Sequence, residues 1–146
     1  VGKKIAAIPK NKRVLITAHD AFGYFGKAYD IEVVGLQGIS TASGYGIKDE
    51  ERIIDLLVQR RIKAVFVESS VPTKAIESVV EKCQAQNHTV SIGGTLYSDA
   101  MGQPGTPEGA YLGMVRVNVE TIVAALHGQA GDKKRENKPD QRSTKE

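Results

Sequence analysis

The stretch ITAHDAFGYFG, residues 16–26, sets a histidine and an aspartate directly after an apolar run. An imidazole nitrogen together with carboxylate oxygens is a competent donor set for a divalent transition metal. Two further acidic residues stand in comparable places. Glu68, with Ser69 and Ser70, closes the run AVFV, and Asp99 lies in the glycine-rich loop GGTLYSDAMG. His19, Asp99, Glu68 and Asp20 are therefore the candidate residues, and metal ligation is the chemistry their types allow. Each also has a plainer reading. A strand-end histidine can bond a loop carbonyl, and Asp99 is of a type common in loops. Asp20 reads as the N-cap of a short helix through AFGYFGKAY. Glu68 can tie loops together or stand behind a ligand. Two ligands are too few to close a zinc shell, which takes four, so this chain would supply half a site.

Other chemistries find little to stand on. The sequence has no G-x-S-x-G elbow, no G-x-x-x-x-G-K-[ST] loop and no G-x-G-x-x-G after its first strand. His19 and Asp20 are adjacent, so they point apart and make a poor hydrolytic dyad. His88 precedes the fourth strand, at the opposite edge of the expected sheet, and His127 sits at a helix C-terminus. Both read as surface residues.

The elements that must position these residues are four β-rich runs, RVLIT (13–17), EVVGL (32–36), KAVFVE (63–68) and TVSIGG (89–94), alternating with helical patterns. This alternation predicts an α/β fold with an open, mostly parallel four-stranded sheet covered by helices on both faces. Ligands of such a sheet sit outside the carboxyl ends of its strands, where the candidate residues fall. IKDEERIIDLLVQRR predicts a helix whose apolar stripe is Ile47, Ile53, Ile54, Leu57 and Val58. Ser70 is the expected cap of the next helix, from Pro72, with Ile76, Val79, Val80 and Cys83 inward. Thr106-Pro107-Glu108 reads as the start of a long last helix with Leu112, Val115, Val119, Ile122, Val123 and Leu126 as its stripe. Residues 128–146 contain no large apolar side chain and read as a disordered tail. KKIAAIP looks like the end of a helix entering the domain from elsewhere.

At 146 residues the chain has one domain's worth of sequence. Its apolar runs are too short to cross a bilayer. Six of the 20 basic residues lie beyond position 132, interleaved with Asp132, Glu136, Asp140 and Glu146, a mixed tail and not a phosphate clamp. Aromatics are 5% of residues with no basic stripe among them, which sets nucleic-acid binding aside. Cys83 is the only cysteine, so no internal disulfide and no cysteine cage can form. The first residue is a valine with no signal segment behind it, which suggests a fragment.

TAHDAFGYFGKAYDIEVVGLQGIST, AVFVESSVP, IGGTLYSDAMG and GAYLGMVRVNVETIVAAL together resemble the C-terminal lobe of the zinc- and manganese-binding receptors of bacterial ABC importers, of the TroA type, in the right order across residues 5–126. The resemblance implies a two-lobed receptor with a rigid helix between the lobes, residues 1–9 being the end of that helix and 10–127 the metal-binding lobe. It implies that the N-terminal lobe, absent from this chain, gives two histidines. His19 and Asp99 match the positions from which the C-terminal lobe gives its ligands. Gly44 stands where the family pattern has an acidic residue.

The function expected from this resemblance is a solute receptor for Zn(II) or Mn(II), with Fe(II) also admissible, at the periplasmic or extracytoplasmic side of the envelope. Its partners would be the N-terminal lobe and a membrane ABC permease, and it would not be an enzyme. The alternative is a metal-dependent hydrolase on the same strand ends, with Glu68 as general base. A third reading, a structural or adhesive lobe with a vestigial site, predicts no metal binding at all.

Overall fold

The computed structural model describes residues 1–37 and 46–128. Residues 129–146 of the expected tail and the position of Gly44 lie outside the described residues, while Gly128, the first residue of that tail, is the last of a helix. The chain opens with a short helix, α1 (Gly2–Ala6), and a single 3-10 turn, then alternates β1 (Val14–His19), α2 (Gly23–Tyr29), β2 (Glu32–Gln37), α3 (Ile47–Gln59), β3 (Ala64–Glu68), α4 (Lys74–Ala85) and β4 (Ser91–Leu96), and closes with α5 (Tyr111–Gly128). No helix among the described residues is long and apolar enough to cross a membrane.

Among the described residues all strand pairing is parallel. β1 pairs with β2 from Val14↔Glu32 to His19↔Gln37, and β3 pairs with β4 from Ala64↔Ser91 to Glu68↔Leu96, with an irregularity between Val65 and Val67. β1 lies against β3, so the spatial order is β2-β1-β3-β4, but the backbone ladder is two parallel pairs and not the continuous four-stranded sheet expected. The strand order therefore reverses between β1 and β3. That reversal is where an open α/β sheet offers its ligand crevice.

Both faces are covered, because the strands are apolar at successive positions. Val14, Ile16, Ala18, Val65 and Val67 pack with Ile53, Ile54 and Leu57 of α3 and Ile76, Val79 and Cys83 of α4. Leu15, Ala64 and Phe66 pack on the opposite face with Ile5 of α1, Phe22, and Val119, Ile122 and Leu126 of α5. Cys83 is fully buried, and burial pushes its thiol pKa up, as a small core residue should behave. α5 lies so close on β4 that a Cβ at Gly93 would stand 2.6 Å from Ala125 Cβ, and one at Gly94, where φ is +149°, 2.5 Å from Thr121 Cγ2. Only glycine fits there.

Three helix expectations are corrected. Ile47 and Leu112 are 73% and 77% exposed, because each sits in the first turn of its helix, beyond the layer it was expected to face. In their place α3 buries a charge, Glu50, which accepts from Ser78 Oγ at 2.6 Å and pairs with Lys82 Nζ, both on α4. Burial alone would raise the Glu50 carboxyl. The hydrogen bonds from Lys82 and Ser78 and the lysine charge outweigh it and hold the group below its ordinary value. Finally, Thr106-Pro107 starts a 3-10 turn, Pro107–Gly109, and α5 begins only at Tyr111 after an extended Ala110.

Candidate metal site

Strand parity carries the first two side chains to one place. Along β1, Leu15 faces the α1–α2–α5 side of the sheet while Val14, Ile16 and Ala18 face the other, so His19 falls on the Leu15 side. Along β3, Ala64 and Phe66 face that same side, and so does Glu68. Each is the last residue of its strand, at the carboxyl edge and on either side of the reversal. His19 does not follow β1, as the sequence suggested, but ends it, because the pairing with β2 runs on to Gln37.

The imidazole and the carboxylate meet closely. His19 Nδ1 is 2.6 Å from Glu68 Oε2, and the side chains are 3% and 0% exposed. The His19 backbone N–H donates to Glu68 Oε1 at 3.0 Å. Despite this approach, neither Nδ1 nor Oε2 has a hydrogen-bond partner. Glu68 is thus spent on His19, behind the ring. It does not border the cleft, which removes the general base that the hydrolase alternative required.

The far side of the ring opens outward. His19 Nε2 stands 3.2 Å from Asp99 Oδ2, and the Asp99 side chain is 62% exposed. The two border a cleft of about 520 Å³ together with Asp20, Tyr24, Lys27 and Ser98. Zn–N and Zn–O bonds of about 2.0–2.2 Å at tetrahedral angles put neighbouring ligand atoms roughly 3.4 Å apart. The observed pair is set at about that spacing without rearrangement. Among the described residues no group of three or more His, Cys, Asp or Glu forms a metal cage, so the pair stands as part of a shell.

Asp99 comes from a loop, and two contacts hold that loop. Ser70 Oγ lies 2.8 Å from Ser98 Oγ and donates to Asp99 Oδ2 at 3.4 Å. Two residues before Asp99, the Tyr97 backbone N–H donates to Asn118 Oδ1 at 2.9 Å, and Asn118 Nδ2 donates back to the Tyr97 carbonyl at 2.7 Å. The buried Asn118 of α5 thereby acts as a one-residue strand beside the end of β4. Sequence reasoning missed Asn118. A lone amide within the apolar stripe of the last helix was the available signal, since a buried polar side chain needs partners.

Two capping expectations fail here. Asp20 is not the N-cap of α2, which begins after Phe22 and has no side-chain cap. Its own backbone N–H donates to the Gln37 carbonyl at 3.1 Å, so sheet pairing outlasts β1 and the helix starts later. Ser70 does not cap α4 either. The helix starts at Lys74 with Thr73 at the cap position, and the Ser70 hydroxyl is drawn to Ser98 and Asp99. Of the other two histidines, both read as surface residues, His127 is exposed and His88 is half-buried. A ring nitrogen of His88 sits 2.7 Å from the Ile62 carbonyl before β3, at the amino edge of the sheet, and His127 is exposed in the last turn of α5.

Residues 1–125 match the family described as zinc-uptake complex component A, periplasmic (ZnuA). The chain belongs to this family. Relatives of the ZnuA-family chain include the manganese-binding lipoprotein MntA of Bacillus subtilis, 59% identical over 124 residues, which are 85% of this chain and 40% of the relative. The zinc-binding protein TroA of Treponema pallidum is 52% identical over 126 residues, 86% of this chain and 41% of the relative. The solved structure of that periplasmic zinc-binding TroA superposes with a TM-score of 0.83 over 86% of this chain and 45% of its own. The chain thus spans about 40% of the length of these curated relatives. The likeness agrees with the α/β lobe expected from the sequence. The family is one of uptake components, not of enzymes, and does not favour the hydrolase reading.

Proposed function

We propose that this chain is the metal-binding C-terminal lobe of a ZnuA-family receptor, which captures Zn(II) or Mn(II) outside the cytoplasm and delivers it to a membrane ABC permease. His19 would ligate through Nε2 and Asp99 through a carboxylate oxygen. The remaining ligands would come from an N-terminal lobe, joined through a helix that ends in residues 1–9. One observation carries this reading: a buried histidine at the sheet's reversal presents one ring nitrogen to an exposed carboxylate across a cleft, at the spacing of two ligands. Family membership and relatives named for zinc and manganese support it. The mixed nitrogen and oxygen donors suit zinc and manganese, and admit Fe(II). A relative named as a lipoprotein and a family named as periplasmic support a place at the cell envelope.

The test is calorimetric titration of Zn(II) and Mn(II) into this chain, into the chain extended upstream by a complete N-terminal lobe, and into His19→Ala and Asp99→Ala forms of the extended protein. Tight one-to-one binding in the extended protein, weakened at least tenfold by each substitution, is expected. Equal affinity in all four proteins would overturn the assignment.

A further inference from the structure

We infer that Gly113, Gly109 and Gly102 are positioning residues for Asp99: they let the chain beyond it fold into a closed arm seated on α5, so that the carboxylate is set in place before any metal arrives. This deepens the receptor reading and rests on it for its purpose, but not for its geometry. Among the described residues, no backbone group of residues 98–101, the span that carries Asp99, is hydrogen-bonded. The span is therefore placed by its two ends. Upstream, both backbone groups of Tyr97 are bonded by Asn118. Downstream, the Gly102 N–H donates to the Glu108 carbonyl at 2.9 Å, which closes residues 102–108 into a ring. Inside the ring the Gln103 carbonyl accepts from the Thr106 N–H at 3.1 Å and from Thr106 Oγ1 at 2.7 Å, and the Gly109 N–H donates to the Thr106 carbonyl at 3.0 Å. A Cβ at Gly113, in the first turn of α5, would stand 1.7 Å from the Pro107 carbonyl oxygen, one at Gly109 2.2 Å from that of Gln103, and one at Gly102 2.1 Å from Glu108 Cγ. A side chain at 113 or 109 must push backbone aside, whereas one at 102 need only turn the Glu108 side chain. Both ends of the span thus fasten to one helix, through Asn118 and through Gly113, and α5 in turn packs on the core through Val119, Ile122 and Leu126. Fixed at both ends, the span holds the carboxylate at its 3.2 Å approach to His19 Nε2 and leaves little ordering for binding to accomplish.

The first measurement is amide ¹⁵N relaxation on the metal-free chain. Residues 98–101 are expected to be as ordered as β1 on the picosecond-to-nanosecond timescale, and a mobile span overturns the proposal whatever any variant does. The second is a double-mutant cycle on zinc affinity in the extended protein, comparing Gly113→Ala, Asp99→Ala and the double variant. Gly113→Ala is expected to weaken binding about tenfold, as when a group that orients a ligand is changed, and to weaken it no further once Asp99 is gone. Losses that simply add would show that Gly113 acts elsewhere, and unchanged affinity in Gly113→Ala would show that the arm does not position Asp99; either overturns the proposal. A role confined to the helix would instead favour alanine, the better helix former, and leave affinity intact. Gly109→Ala, which also meets backbone, should follow Gly113→Ala and takes its place if that variant does not fold; Gly102→Ala should lose less. If neither folds, the wild-type relaxation and Gly102→Ala decide. Should the receptor reading itself be wrong, Asp99→Ala would leave zinc affinity unchanged while the relaxation result stood by itself.

Discussion

Replacing Asn118 tests the logic that holds the Asp99 loop. The Asn118 amide makes two hydrogen bonds, of 2.9 and 2.7 Å, to the backbone of the one residue Tyr97. Asn118→Ala leaves a half-buried N–H and a half-buried carbonyl without partners. Each such group costs about 1–3 kcal/mol when buried, and partial access to water puts both near the low end, for a total of about 2–3 kcal/mol. Asn118→Leu separates this from simple loss of volume, because leucine fills the space and still satisfies neither group. The expected result in urea unfolding followed by circular dichroism is a loss of about 2–3 kcal/mol in both variants, a large fraction of an ordinary domain's stability. Amide resonances of Ser98 to Met101 should shift or broaden while those of β1 stay put. A leucine variant as stable as wild type would refute the reasoning, since the two bonds would then contribute nothing beyond packing.

Gly94→Ala should lower stability by about 1–3 kcal/mol, from a left-handed φ combined with a clash against Thr121 Cγ2; adding Thr121→Ala should restore part of the loss, and full tolerance of alanine would contradict the close approach of α5 to β4. The Glu50 carboxyl, lowered in the folded state by Lys82 and Ser78, binds protons less readily folded than unfolded. It therefore contributes stability above the unfolded carboxylate pKa of about 4.3 that disappears as pH falls through the lower folded value. The stability gap between wild type and Glu50→Gln should be widest near neutrality and shrink below a pH of about 5, and a gap independent of pH would count against the pairing.

Much of the fold was legible because doubly covered strands carry an unmistakable apolar signature, as in Val14-Leu15-Ile16 and Ala64-Val65-Phe66-Val67. The strand ends then follow, and with them His19 and Glu68. What the sequence concealed were choices made by tertiary partners. Asp20 looks like a cap until its backbone is claimed by Gln37, and Ser70 looks like a cap until Ser98 and Asp99 claim its hydroxyl. Glu50 belongs on a solvent face by helical periodicity alone. Only the approach of Lys82 and Ser78 from α4 makes its burial tolerable. The split of the sheet was equally hidden, since apolar runs report how deeply a strand is covered and not which neighbour it bonds.

The seam between β1 and β3 gives the molecule an order of assembly. Each half, β1–α2–β2 and β3–α4–β4, is a compact unit whose strands pair across one short helix, so its contacts close small loops. The link between the halves, His19 to Glu68, spans 49 residues. Loop-closure entropy favours the local units first and their docking last. On this reasoning the His19–Glu68 contact forms late, and a chain with one half formed and the other loose is expected to hold the imidazole without its carboxylate neighbour.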